Sequence, residues 1–145
     1  MGARRPVANG LRDLGVQPGD RVAGLEDNNL DCVDLYLGCA KAGAVRVPLY
    51  PRNAREAHSH MIEGTDCKLV VADEVHADLL GGLQEEFDCR QQMLVRDTGY
   101  EGVAVRAGPD DPLVEIDADA WYVIRTLVAR LGDRRGWATR TTIGC

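Results

Sequence analysis

The stretch Arg21-Val22-Ala23-Gly24-Leu25, then Glu26-Asp27-Asn28-Asn29, a helical run to Ala42, and Ala44-Val45-Arg46-Val47-Pro48-Leu49 decides the fold. The first five residues form a short apolar run fit for a strand. Between residue 29 or 31 and residue 42, Leu30, Val33, Leu35, Leu37 and Ala40 make a broad apolar face, and Gly43 is a natural helix stop. The β-branched run that follows reads as a second strand ending near Pro48. Strand, helix and strand within about thirty residues form a βαβ unit, whose strands must lie parallel.

The neighbouring sequence repeats the alternation. Upstream, Val7, Leu11 and Leu14 are spaced for a helix over residues 7–14, with Gly15 behind them, and Gln17-Pro18-Gly19-Asp20 is turn chemistry. Downstream, Asn53 with Glu56 three residues on has the form of a capping box for a helix over residues 53–63, with Ala57, His60 and Met61 facing inward. Lys68-Leu69-Val70-Val71-Ala72 is a continuously apolar strand of the kind buried on both faces. A helix from Asp73 or Glu74 to about Phe87, a strand at residues 92–95 and another at residues 121–124 complete the pattern. The expected class is α/β: a partial doubly wound parallel sheet with flanking helices.

Charge divides the chain. The whole 145-residue sequence has 17 basic and 23 acidic residues, a formal net charge of −6. That surplus of acid argues against nucleic-acid and anionic-membrane partners. No run reaches the roughly eighteen apolar residues of a membrane span. Yet residues 125–145 hold five arginines (Arg125, Arg130, Arg134, Arg135, Arg140) against Asp133 alone, a local charge of +4. Such a switch marks a different segment. Two domains are therefore expected, 1–124 as the folded unit and 125–145 as a disordered tail. The cysteines, Cys32, Cys39, Cys67, Cys89 and Cys145, form no CxxC pair and read as reduced thiols in a cytoplasmic protein.

Chemical motifs are sparse. His58 and His60, with Asp66 and Cys67 nearby, resemble a metal set, but residues two apart on a helix point to different sides. Asp110, Asp111, Glu115, Asp117 and Asp119 lack the glycine turn and terminal glutamate of a calcium loop, and read as a solvated acidic segment. Cys32 and Cys39, a heptad apart, read as small buried hydrophobes. Arg134-Arg135-Gly136-Trp137 has the composition of an RNA-binding tail, against which stands a segment never selected to fold. No GxSxG, GxGxxG or G-x-x-x-x-G-K-[ST] motif is present in frame.

The run Val7-Ala8-Asn9-Gly10-Leu11-Arg12-Asp13-Leu14-Gly15-Val16-Gln17-Pro18-Gly19-Asp20-Arg21-Val22 resembles the opening of the AMP-forming adenylating enzymes, the acyl-CoA synthetases and their relatives. Asn28-Asn29, Ala40-Lys41-Ala42-Gly43-Ala44-Val45 and Val47-Pro48-Leu49-Tyr50-Pro51-Arg52 extend the likeness, which covers residues 7 to about 124. The resemblance implies a large N-terminal domain in which a carboxylic acid, most simply a fatty acid, is activated with ATP and Mg²⁺ and passed to coenzyme A. It also implies a stretch before residue 7 and, after the strand at Trp121-Tyr122-Val123, a phosphate loop of the form Y-T-S-G-T-T-G-x-P-K-G. Neither appears, nor do the family's later Thr-Glu metal ligand, ribose-binding aspartate and C-terminal lysine. The resemblance therefore assigns no catalytic, cofactor-binding or metal-ligating residue to this chain, and the polypeptide alone is expected to be inactive.

Codon degeneracy offers a reason for the missing loop. Read from the third base of the Arg125 codon, permitted codons for Arg125 to Ala138 spell Y-T-S-G-T-T-G-R-P-K-G-V-G. Trp137 has a single codon, TGG, which in that register demands Val, Leu or Met followed by Gly. The other shifted register cannot supply S-G-T-T in this stretch. The expectation is that residues 125–145 are an out-of-frame reading of the phosphate loop. A self-contained flavodoxin-like binding module is the competing reading. Such a module puts a Ser-, Thr- or Gly-rich phosphate loop at its first strand–helix turn, where this chain has Glu26 and Asp27.

Overall fold

The computed structural model describes residues 4–86, 92–95, 115, 119–120, 122–130 and 137–144. Helix α1 (Arg4–Asp13) leads through the Gln17–Asp20 turn into β1 (Arg21–Leu25). In that turn Gly19 sits at φ 88° and the Asp20 N–H donates to the Gln17 carbonyl over 3.0 Å. Helix α2 (Leu30–Ala42) follows and is closed by Gly43, whose φ of 72° is left-handed. Then come β2 (Val45–Leu49), α3 (Arg55–Thr65), β3 (Leu69–Ala72), a 3₁₀ turn (Glu74–His76), α4 (Ala77–Glu86) and β4 (Gln92–Val95).

The sheet runs β4-β3-β1-β2-β5-β6, with β5 (Val123–Arg130) and β6 (Trp137–Gly144) completing it. All pairings are parallel except β5 with β6. The central strands are apolar on both faces because helices cover both. On one face α1 and α2 bury Leu11, Val16, Leu35 and Cys39 against Val22, Ala44, Leu69 and Val71. On the other, α3 and α4 bury Met61, Ile62, Leu80 and Leu83 against Ala23, Val47, Val70 and Ala72. The expected doubly wound α/β architecture is present.

Three expectations are corrected. Residues 125–145 were expected to lack regular structure, yet β5 continues through Arg130 and β6 returns antiparallel to it, from Val123↔Gly144 to Arg130↔Trp137. Asn53 does not cap α3. Ala54 occupies the N-cap without a side-chain bond, and Asn53 Nδ2 lies 3.9 Å from Met61 Sδ instead. His60 is exposed on α3, whereas His58 is fully buried beside Ala57, Met61 and Ile62. Residue 121 of the expected last strand and residue 87 of the expected α4 lie outside the described residues.

Candidate functional site

Ligand sites in open α/β sheets lie at the carboxyl ends of the strands, where successive connections leave toward opposite faces. Two groupings occupy that end here. Between β1 and β2, on the face that carries α2, is a cavity of about 350 Å³ bordered by Gly24, Glu26, Asn28, Cys32, Arg46, Pro48, Leu49, Tyr50 and Pro51. It forms because Asn29 starts α2 abruptly: its Oδ1 accepts from the Cys32 N–H over 2.9 Å, so the chain turns away as soon as β1 ends.

The cavity is built around one ion pair. Arg46 Nη2 lies 3.3 Å from Glu26 Oε2 and 3.0 Å from Cys32 Sγ, and its guanidinium carbon sits 5.9 Å from the centre of the Tyr36 ring. Tyr36 in turn meets Tyr122 edge-on, with ring centres 6.3 Å apart. The Glu26 side chain is fully buried and that of Arg46 is 10% exposed. Gly24 leaves the pair room: a Cβ there would stand 3.2 Å from both Glu26 Oε2 and Leu35 Cδ2. The chemistry is inward-looking. Arg46 is engaged by Glu26, so it brings no free positive charge to an incoming anion.

On the other side of β1, three ligating side chains meet. Asp27 follows β1, and Asp73 and His76 follow β3. One carboxylate oxygen or ring nitrogen from each lies within 4.8 Å of the others. The Asp27 N–H donates to Asp73 Oδ2 over 3.1 Å and the Asp73 N–H to the Leu25 carbonyl over 3.3 Å, which ties the two loops together.

The residues singled out in the sequence are dispersed. His58 is buried, while His60 and Asp66 are exposed, and Asp66 is held by Arg21 at 2.6 Å. Burial lowers the His58 pKa below its usual value, with the nearby His76 acting in the same sense. Cys39 and Cys67 are buried, and their thiols are pushed up to about 12 and about 11. They behave as small hydrophobes. Cys32 is only half-buried and, unlike Cys39, faces the Arg46 cavity. Glu115 and Asp119 are exposed, and Asp110, Asp111 and Asp117 lie outside the described residues, as do Cys89, Cys145, Arg134 and Arg135. No sequence spacing pointed to Glu26 with Arg46, or to Asp27 with Asp73 and His76. Glu26 and Arg46 stand 20 positions apart and Asp27 and Asp73 stand 46 apart, and the parallel register brings each pair together.

The family model for AMP-binding enzymes matches residues 3–124. A feruloyl-CoA synthase from Amycolatopsis sp is 36% identical over 77 residues, covering 53% of this chain and 16% of that protein. The long-chain-fatty-acid–CoA ligase FadD13 of Mycobacterium tuberculosis is 33% identical over 116 residues, covering 77% of this chain and 23% of that protein. Among solved structures, the N-terminal domain of FACL13 from Mycobacterium tuberculosis superimposes with a TM-score of 0.80 at 27% identity, over 87% of this chain and 33% of that one. The chain thus spans less than a quarter of the length of these curated relatives. Among the described residues, no helix is long and apolar enough to cross a membrane.

Proposed function

The chain belongs to the AMP-binding enzyme family, and from that premise we propose that it is the N-terminal part of a cytoplasmic ATP-dependent acid–CoA ligase, of the fatty-acid type, and is inactive alone. In the parent reaction a carboxylate oxygen attacks the α-phosphorus of ATP, forming an acyl-adenylate and releasing pyrophosphate. A coenzyme A thiol then attacks the acyl carbon and AMP departs.

The observation that carries the reading is the break at residue 124. The family match stops there, and the next 21 residues turn from acidic to arginine-rich. In their own frame they hold no run of Ser, Thr and Gly ending in Lys-Gly, and the single codon of Trp137 is compatible with that run in the shifted frame. Backbone N–H groups and a lysine in such a loop neutralise the triphosphate as the bond breaks. The described residues do not replace them. Glu26, Asp27 and Asp73 crowd the carboxyl ends of the strands, and Arg46 is already paired, so this surface does not fit a nucleoside triphosphate with Mg²⁺. No step of the reaction is assigned to these residues.

ATP–pyrophosphate exchange by the 145-residue chain, tried with medium- and long-chain fatty acids and with aryl acids, is expected to stay at background. Exchange above background with any of them removes the inactivity. Sequencing the coding DNA is expected to show bases that spell the loop one register away. Arg125–Gly136 codons that do not spell it leave the frameshift without support. The competing reading, a self-contained α/β binding module, draws on the β5–β6 pair, which covers the β2 edge. It requires a small molecule to bind in the β1–β2 cavity of the isolated chain.

A further inference from the structure

We propose that Asp27, Asp73 and His76 form a binding site for a zinc-type divalent cation in the crevice between β1 and β3. The topology makes the crevice. β1 and β3 are adjacent and parallel, but the chain leaves β1 toward the α1–α2 face and leaves β3 toward the α3–α4 face. Connections that diverge this way open a gap at the strand ends.

The side chains in the gap are left wanting a partner. Asp73 is only 9% exposed, and its Oδ1 and the His76 Nε2 are buried atoms without any hydrogen bond. Yet His76 Nε2 lies 3.7 Å from that Oδ1 and 3.6 Å from Asp27 Oδ2. These separations are too long for hydrogen bonds. They suit two ligands on one ion: atoms about 2.1 Å from a tetrahedral zinc stand about 3.4 Å apart. Asp73 is also aimed, because its Oδ2 accepts the Asp27 N–H and leaves Oδ1 turned toward the imidazole. An imidazole with two carboxylates favours zinc over magnesium, which prefers oxygen ligands and keeps its waters. The exposed Asp27 leaves the fourth position open to solvent.

The test uses the 145-residue chain after dialysis against a chelator. Zn²⁺ is titrated in competition with a chromophoric chelator, and Co²⁺ serves as a spectroscopic probe. One ion per chain is expected, with a visible Co²⁺ ligand-field band and no thiolate charge-transfer band. Asp73→Asn and His76→Gln should each weaken Zn²⁺ by at least about tenfold, the loss typical of disturbing even the groups behind a ligand. Asp27→Asn alters a side chain that is 65% exposed, so it keeps the fold intact and should weaken binding as well. Failure to bind one Zn²⁺, binding unchanged in His76→Gln and Asp27→Asn, or a thiolate band would overturn the site.

Discussion

The Arg46 guanidinium lies against a Glu26 side chain with no exposed surface, so removing it leaves a buried carboxylate without its cation. Arg46→Met should lower the unfolding free energy by about 3–5 kcal/mol, and adding Glu26→Leu to Arg46→Met should recover much of that loss, both read from urea denaturation. A single-variant loss below about 1 kcal/mol would show that water already solvates the pair. His58 gives a pH dependence of definite sign. Burial lowers its folded pKa below the ordinary 6.5, so above pH 6.5 the ring is neutral in both states and its contribution is fully present. As the pH falls below 6.5 toward the folded value, the unfolded chain takes the proton first. Stability then drops, by at most about 1.4 kcal/mol per pH unit for one proton. Thermal melts from pH 7.5 to 5 should show this slope, and His58→Leu should flatten it. The sequence put His60 inside instead because Ala57 and Met61 fix the inner face only to within one position on either side. Ile62 and Thr65 extend that face toward His58.

At the scale of elements, hydrophobic period and turn residues located strands and helices well wherever the signal was local. Residues 21–25 and 92–95 form strands with the boundaries read from sequence, and of the two starts left open for α2, Asn29 and Asp31, it is Asn29 that caps it. What sequence could not give is how elements touch. Gly38, inside α2, looks like a weak helix residue, yet a Cβ there would lie 2.1 Å from Val7 Cγ1 of α1. Its absence of a side chain is what lets α1 sit on α2. Gly81, in the exposed face of α4, would meet nothing within 4 Å. The same substitution should therefore have opposite signs: Gly38→Ala destabilises by about 1–3 kcal/mol through overpacking, whereas Gly81→Ala stabilises by up to about 1 kcal/mol through helix propensity. Chemical denaturation of the two variants side by side checks this. Equal effects would mean that α1 is not seated on α2 as described.

For the whole molecule, the question is what finishes the sheet. β1 is flanked on both sides, and β2 would be an open edge if its only neighbour were β1. An open, apolar parallel strand invites pairing with another chain. Here the Arg46 N–H donates to the Tyr122 carbonyl over 2.9 Å, β5 starts alongside, and β6 follows it antiparallel. Composition could not reveal this, because residues 125–145 have no clean alternation and their charge argued for a separate fate. Pairing depends on backbone groups, which any sequence without proline supplies, and residues 125–145 contain no proline. Frame origin and strand formation are thus separate matters. Two measurements follow. Hydrogen exchange should show the amides of Val123–Arg130 protected alongside those of β1 and β3, and exchange at the free-chain rate from Arg125 onward would mean the pair does not form. A chain truncated after residue 122 should keep the two cores, whose residues all precede that point, but bare the β2 edge. It is expected to associate as concentration rises, in sedimentation velocity, at concentrations where the 145-residue chain stays monodisperse. If both sediment alike, β5 and β6 do not guard that edge.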